Sequence, residues 1–438
     1  MYDIVIGRSE EDKKKFGLKG TVMIGKQYVQ MGRTTSLSNH IYLDVANSHV
    51  IFVCGKRGSG KSYSLAVIAE GVANLPEEIR QNISIIMLDT MGIYWSMKYP
   101  NVRDKDILDE WDLEAKGLDV QIFTPSGYFK EYKDKGIPTD IPFSILPSEL
   151  NSSDWTRTFE IEENSDVGVL IQRVIHELKE KKESFGMDDI IKAVDSDSRS
   201  SQNMKDGANN HFLTAKEWGL FEDKGTKISD LVIGGKVTIL DLSCYATMEG
   251  GWNIKSLVVG LISQKLFIER MIARKNEEFE ELKASIEYFS EDKKQKQEFP
   301  LVWLAIDEAH EFLPVIGKTL ATDPLVTILR EGRQPGISLL LASQQPGKIH
   351  TDVMTQSDTI LSHRITAKLD TDALGLLMQS YMREGLDKML NELPRVKGAA
   401  LILDDNNERL FQMKVMPRIS WHGGSSPTAL REEKEYFK

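Results

Sequence analysis

Cysteine is scarce: only Cys54 and Cys244 occur in 438 residues, far apart in the chain. A disulfide framework is therefore excluded, and a reducing cytoplasm is the expected compartment. Long apolar runs are missing as well. No uninterrupted stretch approaches the ~20 residues that a membrane span requires, so no membrane is expected among the partners. The opening Met1-Tyr2-Asp3-Ile4-Val5-Ile6-Gly7 has no basic region followed by an apolar run, so no secretory signal is expected. Positive charge is also in deficit. Lys and Arg total 55 against 66 Asp and Glu, a formal net charge of −11. A protein whose whole surface grips nucleic acid is usually basic, so any such contact here must be local, as in a lined channel. What remains is an ordinary globular composition, 41% hydrophobic and 28% charged. A chain of this length can bury a large core without a staple.

Hydrophobic periodicity divides the chain. Residues 1–48 carry short β-prone segments separated by Gly and charge, the pattern of a reduced barrel or a docked extension. From residue 49 apolar runs recur at 49–54, 83–88, 120–123, 237–242, 301–306 and 337–342. Helical patterns lie at 61–74, 254–274, 325–333 and 370–378. Such alternation predicts an α/β core over 49–425 with a parallel-dominated sheet covered on both faces. An excursion at 142–227, with Val167, Leu170, Ile171, Val174 and Leu178 at helical spacing, predicts an inserted helical subdomain. A second excursion at 275–298 is dense in Lys and Glu and reads as a solvated helical hairpin or loop. Residues 426–438 form a polar tail.

One segment announces chemistry. Gly55-Lys56-Arg57-Gly58-Ser59-Gly60-Lys61-Ser62 matches G-x-x-x-x-G-K-[ST] in full, between an apolar strand and a helix. Gly55, Gly58 and Gly60 let backbone N–H groups turn inward around a β-phosphate. The helix start, through Ser62 and Tyr63, adds its positive dipole end. Lys61 is expected to reach the β- and γ-phosphates of ATP, and the Ser62 hydroxyl to coordinate Mg²⁺.

Further candidates follow downstream. The strand at 301–306 ends in Asp307-Glu308. Asp307 is placed to hold Mg²⁺, and Glu308 to activate the attacking water. Asp89 and Asp241 end two other strands; one acidic strand end suffices for the metal, so these two read as structural. The run at 337–342 ends in Ser343-Gln344-Gln345. Gln344, first beyond the strand and its serine, is the preferred sensor of the γ-phosphate. Arg330 and Arg333 lie near a helix end. Either could serve a neighbour's γ-phosphate as an arginine finger, or merely favour the helix C-terminus, and chemistry alone leaves this open.

Together these motifs resemble the HerA ATPases, in the HerA–FtsK branch of RecA-like P-loop proteins. The resemblance also rests on Leu88-Asp89-Thr90-Met91-Gly92-Ile93-Tyr94, Asp307-Glu308-Ala309-His310, Arg330-Glu331-Gly332-Arg333-Gln334-Pro335-Gly336, Leu393-Pro394-Arg395 and Arg418-Ile419-Ser420-Trp421-His422-Gly423-Gly424. It implies a RecA-like core forming a homohexameric ring that hydrolyses ATP at subunit interfaces and moves double-stranded DNA through its pore. It implies Arg333 as the finger acting in trans and Gln344 as the sensor. It further implies a partner, a NurA-like nuclease in DNA end processing or another effector in anti-phage defence. The sequence differs in its short N-terminal segment and in Ile93, where many members carry Glu. The alternative is an ATP-dependent scaffold that assembles a nuclease or NAD-consuming effector without processive translocation.

Overall fold

The computed structural model describes residues 2–31, 34–286, 299–375, 386 and 388–424. The N-terminal region supplies β1 (Ile4–Ile6), β2 (Thr21–Met31) and β3 (Thr34–Asp44). Next come β4 (Val50–Cys54), β5 (Ile83–Asp89), β6 (Val120–Pro125), β7 (Ile141–Phe143) and β8 (Val237–Asp241). The last five are β9 (Leu301–Ile306), β10 (Ile337–Ser343), β11 (Thr359–His363), β12 (Ala399–Asp404) and β13 (Arg409–Val415). Among the described residues all thirteen join one sheet, in the order β1-β3-β2-β13-β12-β11-β4-β10-β9-β5-β8-β6-β7.

From β11 to β7 every neighbouring pair is parallel. The strands are buried along nearly their whole length, as a sheet covered on both faces demands. Parallel pairing brings their C-terminal ends to one edge, the edge where open α/β sheets bind ligands. Cys54 pairs with Ser343, Leu88 with Ile306, and Asp89 with Asp241. The N-terminal strands form no sheet of their own. The antiparallel strands β12 and β13 carry the sheet onward to β2.

The helical excursion sits between β7 and β8. It holds helices Ser152–Thr158, Asp166–Lys181, Met187–Ser196 and Gln202–Glu217. Local signals start them: Ser165 accepts the Gly168 N–H, and Asn151 and Asp154 form a capping box. Trp155 is fully buried at the centre, with the rings of Phe221, Phe212 and Phe159 centred 5.0, 5.2 and 5.5 Å away.

A long helix, Gly251–Ile286, packs against the helix Thr322–Glu331. Residues 275–286 of the charged stretch extend that helix, laced by Arg274 pairs to Glu277 and Glu278 at 3.3 Å each. The rest of that stretch, 287–298, the end of the 370–378 pattern and the tail 426–438 lie outside the described residues. Among the described residues no helix is long and apolar enough to cross a membrane.

Candidate active site

β4 runs into the glycine-rich loop, and the helix Lys61–Ala73 follows at once. Gly55 (φ +153°) and Gly60 (φ +116°) hold backbone conformations that side chains rarely adopt. A Cβ on Gly55 would also lie 2.5 Å from Ser59 Oγ and 2.7 Å from the His363 Cβ. The loop is anchored to its neighbours: Gly55 N–H donates to the Ser343 carbonyl at 3.3 Å, and Lys56 N–H to that of Arg364 at 3.2 Å. His363 is buried beneath it, its Nε2 2.8 Å from Ser64 Oγ and its Nδ1 3.1 Å from the Ala399 carbonyl. Burial pushes the His363 pKa down to about 4, so the ring is neutral.

Lys61 is buried, and its Nζ reaches back to the Lys56 carbonyl at 3.4 Å. Burial pushes its pKa down, while the carboxylates of Glu308 and Asp307 pull it back. Lys56 and Arg57 are exposed on the outer side of the loop. The Tyr63 hydroxyl is engaged elsewhere, accepting the Arg418 N–H at 2.6 Å. What Tyr63 offers at the helix start is its backbone N–H.

β10 lies between β4 and β9, and this order brings four side chains together. Ser62 Oγ donates to Asp307 Oδ2 at 2.5 Å. Gln344 Nε2 donates to Glu308 Oε1. Glu308 is a non-glycine residue at φ +52°, a conformation that costs on the order of 1–3 kcal/mol and gathers at functional sites. Burial pushes its pKa up; the Gln344 bond opposes this and the neighbouring Asp307 adds to it. Gln345 faces away, its Nε2 3.3 Å from His310 Nε2.

Arg330 and Arg333 take no part in these contacts. Arg330 is held by Asp352, with Nε and a terminal nitrogen 2.7 and 2.6 Å from Oδ2. Arg333 follows the helix Thr322–Glu331, exposed and without a side-chain partner among the described residues. Asp89 accepts four backbone N–H groups from its own turn, and Asp241 accepts that of Ser243.

Two contributors escape a reading based on position alone. Tyr94 donates its hydroxyl to Asp307 Oδ2 at 3.2 Å. His310 stands 3.6 Å from Glu308 Oε2 and 3.2 Å from Ser343 Oγ. Both stand in recognisable segments, but their targets are chosen by the fold.

The donor chemistry fits Mg²⁺ bound with a nucleotide. Among the described residues no group of three or more acidic, His or Cys side chains could hold a metal unaided. A hydroxyl and one carboxylate suit a hard cation that takes its remaining oxygens from phosphates and water. Ser59 Oγ and Glu308 Oε2 are buried without a hydrogen-bond partner. Such atoms are costly until a ligand or water completes them.

Residues 29–266 match the family described as "Helicase HerA, central domain". Over 169 residues the chain is 32% identical to a probable DNA double-strand break repair helicase HerA of Methanocaldococcus jannaschii, covering 36% of this chain and 30% of that protein. Over 111 residues it is 31% identical to the DNA double-strand break repair helicase HerA of Pyrococcus furiosus, covering 25% and 19%. The aligned part thus spans under a third of either relative. VirB4 of Thermoanaerobacter pseudethanolicus superposes with a TM-score of 0.52 over 91% of this chain and 96% of its own, at 11% identity. That likeness is one of fold, the α/β P-loop core of the RecA-like type. Asp307, Glu308 and Gln344 lie beyond residues 29–266, and their grouping stands on geometry.

Proposed function

This chain belongs to the HerA helicase family, and from that premise we propose that it is an ATP-hydrolysing motor acting on double-stranded DNA. One observation carries the reading: Ser62 meets Asp307, and Gln344 meets Glu308, at the sheet edge where the loop opens. The loop N–H groups and Lys61 bind the phosphates. Ser62 and Asp307 would hold Mg²⁺, which would supply charge neutralisation at the phosphates. Glu308 takes the proton of the attacking water, and its raised pKa suits a base. Gln344 orients that carboxylate and senses the γ-phosphate.

The proposal extends to the assembly. Arg330 is committed to Asp352 within its own chain, whereas Arg333 is exposed and unpaired among the described residues. Arg333 is therefore the finger offered to a neighbour, in a homohexameric ring with DNA in its pore. A NurA-like nuclease or another effector completes the system, in end processing or anti-phage defence.

The test is ATP turnover with and without linear duplex DNA. Stimulation by DNA is expected. Turnover indifferent to DNA would favour the scaffold alternative, the reading that the net charge of −11 supports.

A further inference from the structure

We propose that Tyr94 is a positioning residue for the metal-binding carboxylate of Asp307, aimed by the turn that Asp89 ties. The inference rests on the reading that Ser62 and Asp307 hold Mg²⁺ beside a nucleotide.

Asp307 is gripped by three donors. Its Oδ1 accepts the Glu308 N–H at 2.9 Å. Its Oδ2 accepts both the Ser62 hydroxyl at 2.5 Å and the Tyr94 hydroxyl at 3.2 Å. The Glu308 N–H belongs to the chain that carries Asp307, and the Ser62 oxygen is itself a metal ligand in this reading. Tyr94 is the one donor among the three that comes from a separate element without being a metal ligand in this reading. Its ring is 1% exposed, so the hydroxyl is delivered from a packed, fixed position.

That position depends on Asp89. Its carboxylate accepts the N–H groups of Met91 at 3.2 Å, Gly92 at 2.7 Å, and Ile93 and Tyr94 at 2.8 Å each. These four bonds fold the chain back sharply after β5. Lys255 Nζ holds the same turn from outside, through the Thr90 carbonyl at 3.0 Å. Burial, and then the neighbouring Asp241 carboxyl, push the Asp89 pKa upward, so this acid sits where its charge is opposed. Its place is explained by what it holds. Outer partners of this sort fix the orientation of a ligating carboxylate, and losing one typically weakens metal affinity 10–100-fold.

The experiment uses the full chain and Tyr94→Phe, which keeps the ring and removes one hydroxyl. Binding of a fluorescent N-methylanthraniloyl ATP is followed as MgCl₂ is titrated, and the ligand-free melting curve reports folding separately. Affinity without Mg²⁺ should stay at the wild-type value. The Mg²⁺ concentration for half-maximal enhancement should rise about tenfold. Asp89→Asn should move the same quantity in the same direction, and the double variant should be no worse than the worse single one, because both act through one hydroxyl. A Tyr94→Phe protein with the wild-type Mg²⁺ requirement, or with equal losses in the presence and absence of Mg²⁺, overturns the proposal alone. Wild-type protein without any Mg²⁺-dependent nucleotide binding overturns it together with the reading beneath it.

Discussion

Glu308 concentrates the site's chemistry in one side chain. It sits in a left-handed backbone conformation, its Oε1 takes a bond from Gln344, and its Oε2 is buried without a hydrogen-bond partner. Glu308→Gln preserves the size and the acceptor for Gln344 while removing the base. The variant should bind ATP normally and hydrolyse it 10²–10⁴-fold more slowly, roughly the usual worth of a positioned base. Nucleotide binding and single-turnover hydrolysis measured side by side check this. A variant that cannot bind ATP would make Glu308 a structural residue. His310 stands 3.6 Å from Glu308 Oε2 and is itself bonded to Ser343 Oγ.

At the level of elements, two buried charge clusters tie the N-terminal region and the segment after β13 to the core. The first joins the segment after β13 to the P-loop helix. Arg418 and Glu70 are each 1% exposed in their side chains and meet at 2.9 Å. Glu70 also receives the Ile419 N–H at 2.9 Å and the Ser420 hydroxyl at 2.5 Å. Removing one partner of such a pair strands the other charge. Arg418→Met should therefore cost about 3–5 kcal/mol and lower the melting temperature clearly. Adding Glu70→Gln should recover part of the loss, because the stranded charge goes too.

The second cluster joins the N-terminal region. His49 lies 2.6 Å from Asp358 and 3.2 Å from Asp44, and Arg8 meets Asp44 at 2.5 Å. Burial alone would depress the His49 pKa, but bonds to Asp358 and Asp44 outweigh it and raise the value from 6.5 to about 9. The folded form thus holds the proton more tightly than the unfolded chain. Its contribution is complete below pH 6.5 and is lost as pH climbs through about 9. The loss amounts to roughly 3 kcal/mol at most. Melting temperatures across this window should fall for the wild type and fall less for His49→Gln.

For the whole molecule the decisive question is whether one subunit is catalytically complete. Lys61, Ser62, Asp307, Glu308 and Gln344 gather within a single chain, and Arg333 faces outward from it. Arg333→Ala should bind ATP normally and hydrolyse it ~10³-fold more slowly or worse, the range for a lost arginine finger. Arg333→Ala subunits retain the P-loop, and Lys61→Ala subunits retain the finger. Rings co-assembled from both should recover activity at the mixed interfaces. Mixed rings that form but stay inactive would remove Arg333 from a simple role in trans. Arg330, the next candidate, would then have to leave Asp352 before it could reach a neighbour.

Features that depend on contiguous residues are legible along the chain. The glycines at 55 and 60 dictate a loop between a buried strand and a helix, because only that backbone turns there without a clash. The six apolar runs are dominated by branched and aromatic residues with at most isolated polar ones, and each is a strand of the parallel sheet. Of the strands that the sequence did not announce, β7 has only three residues and β11 and β13 carry polar residues among the apolar ones, whereas β12 is a buried apolar run like the others. Which side chains meet is set by the folding of distant segments against one another. Tyr94 reaches Asp307 across 213 positions of chain. Gln344 turns to Glu308 while its neighbour Gln345 turns to His310. Arg330 finds Asp352 and Arg333 finds no one among the described residues. Spacing along the chain cannot settle such choices. They follow from strand order and register, which are properties of the assembled sheet.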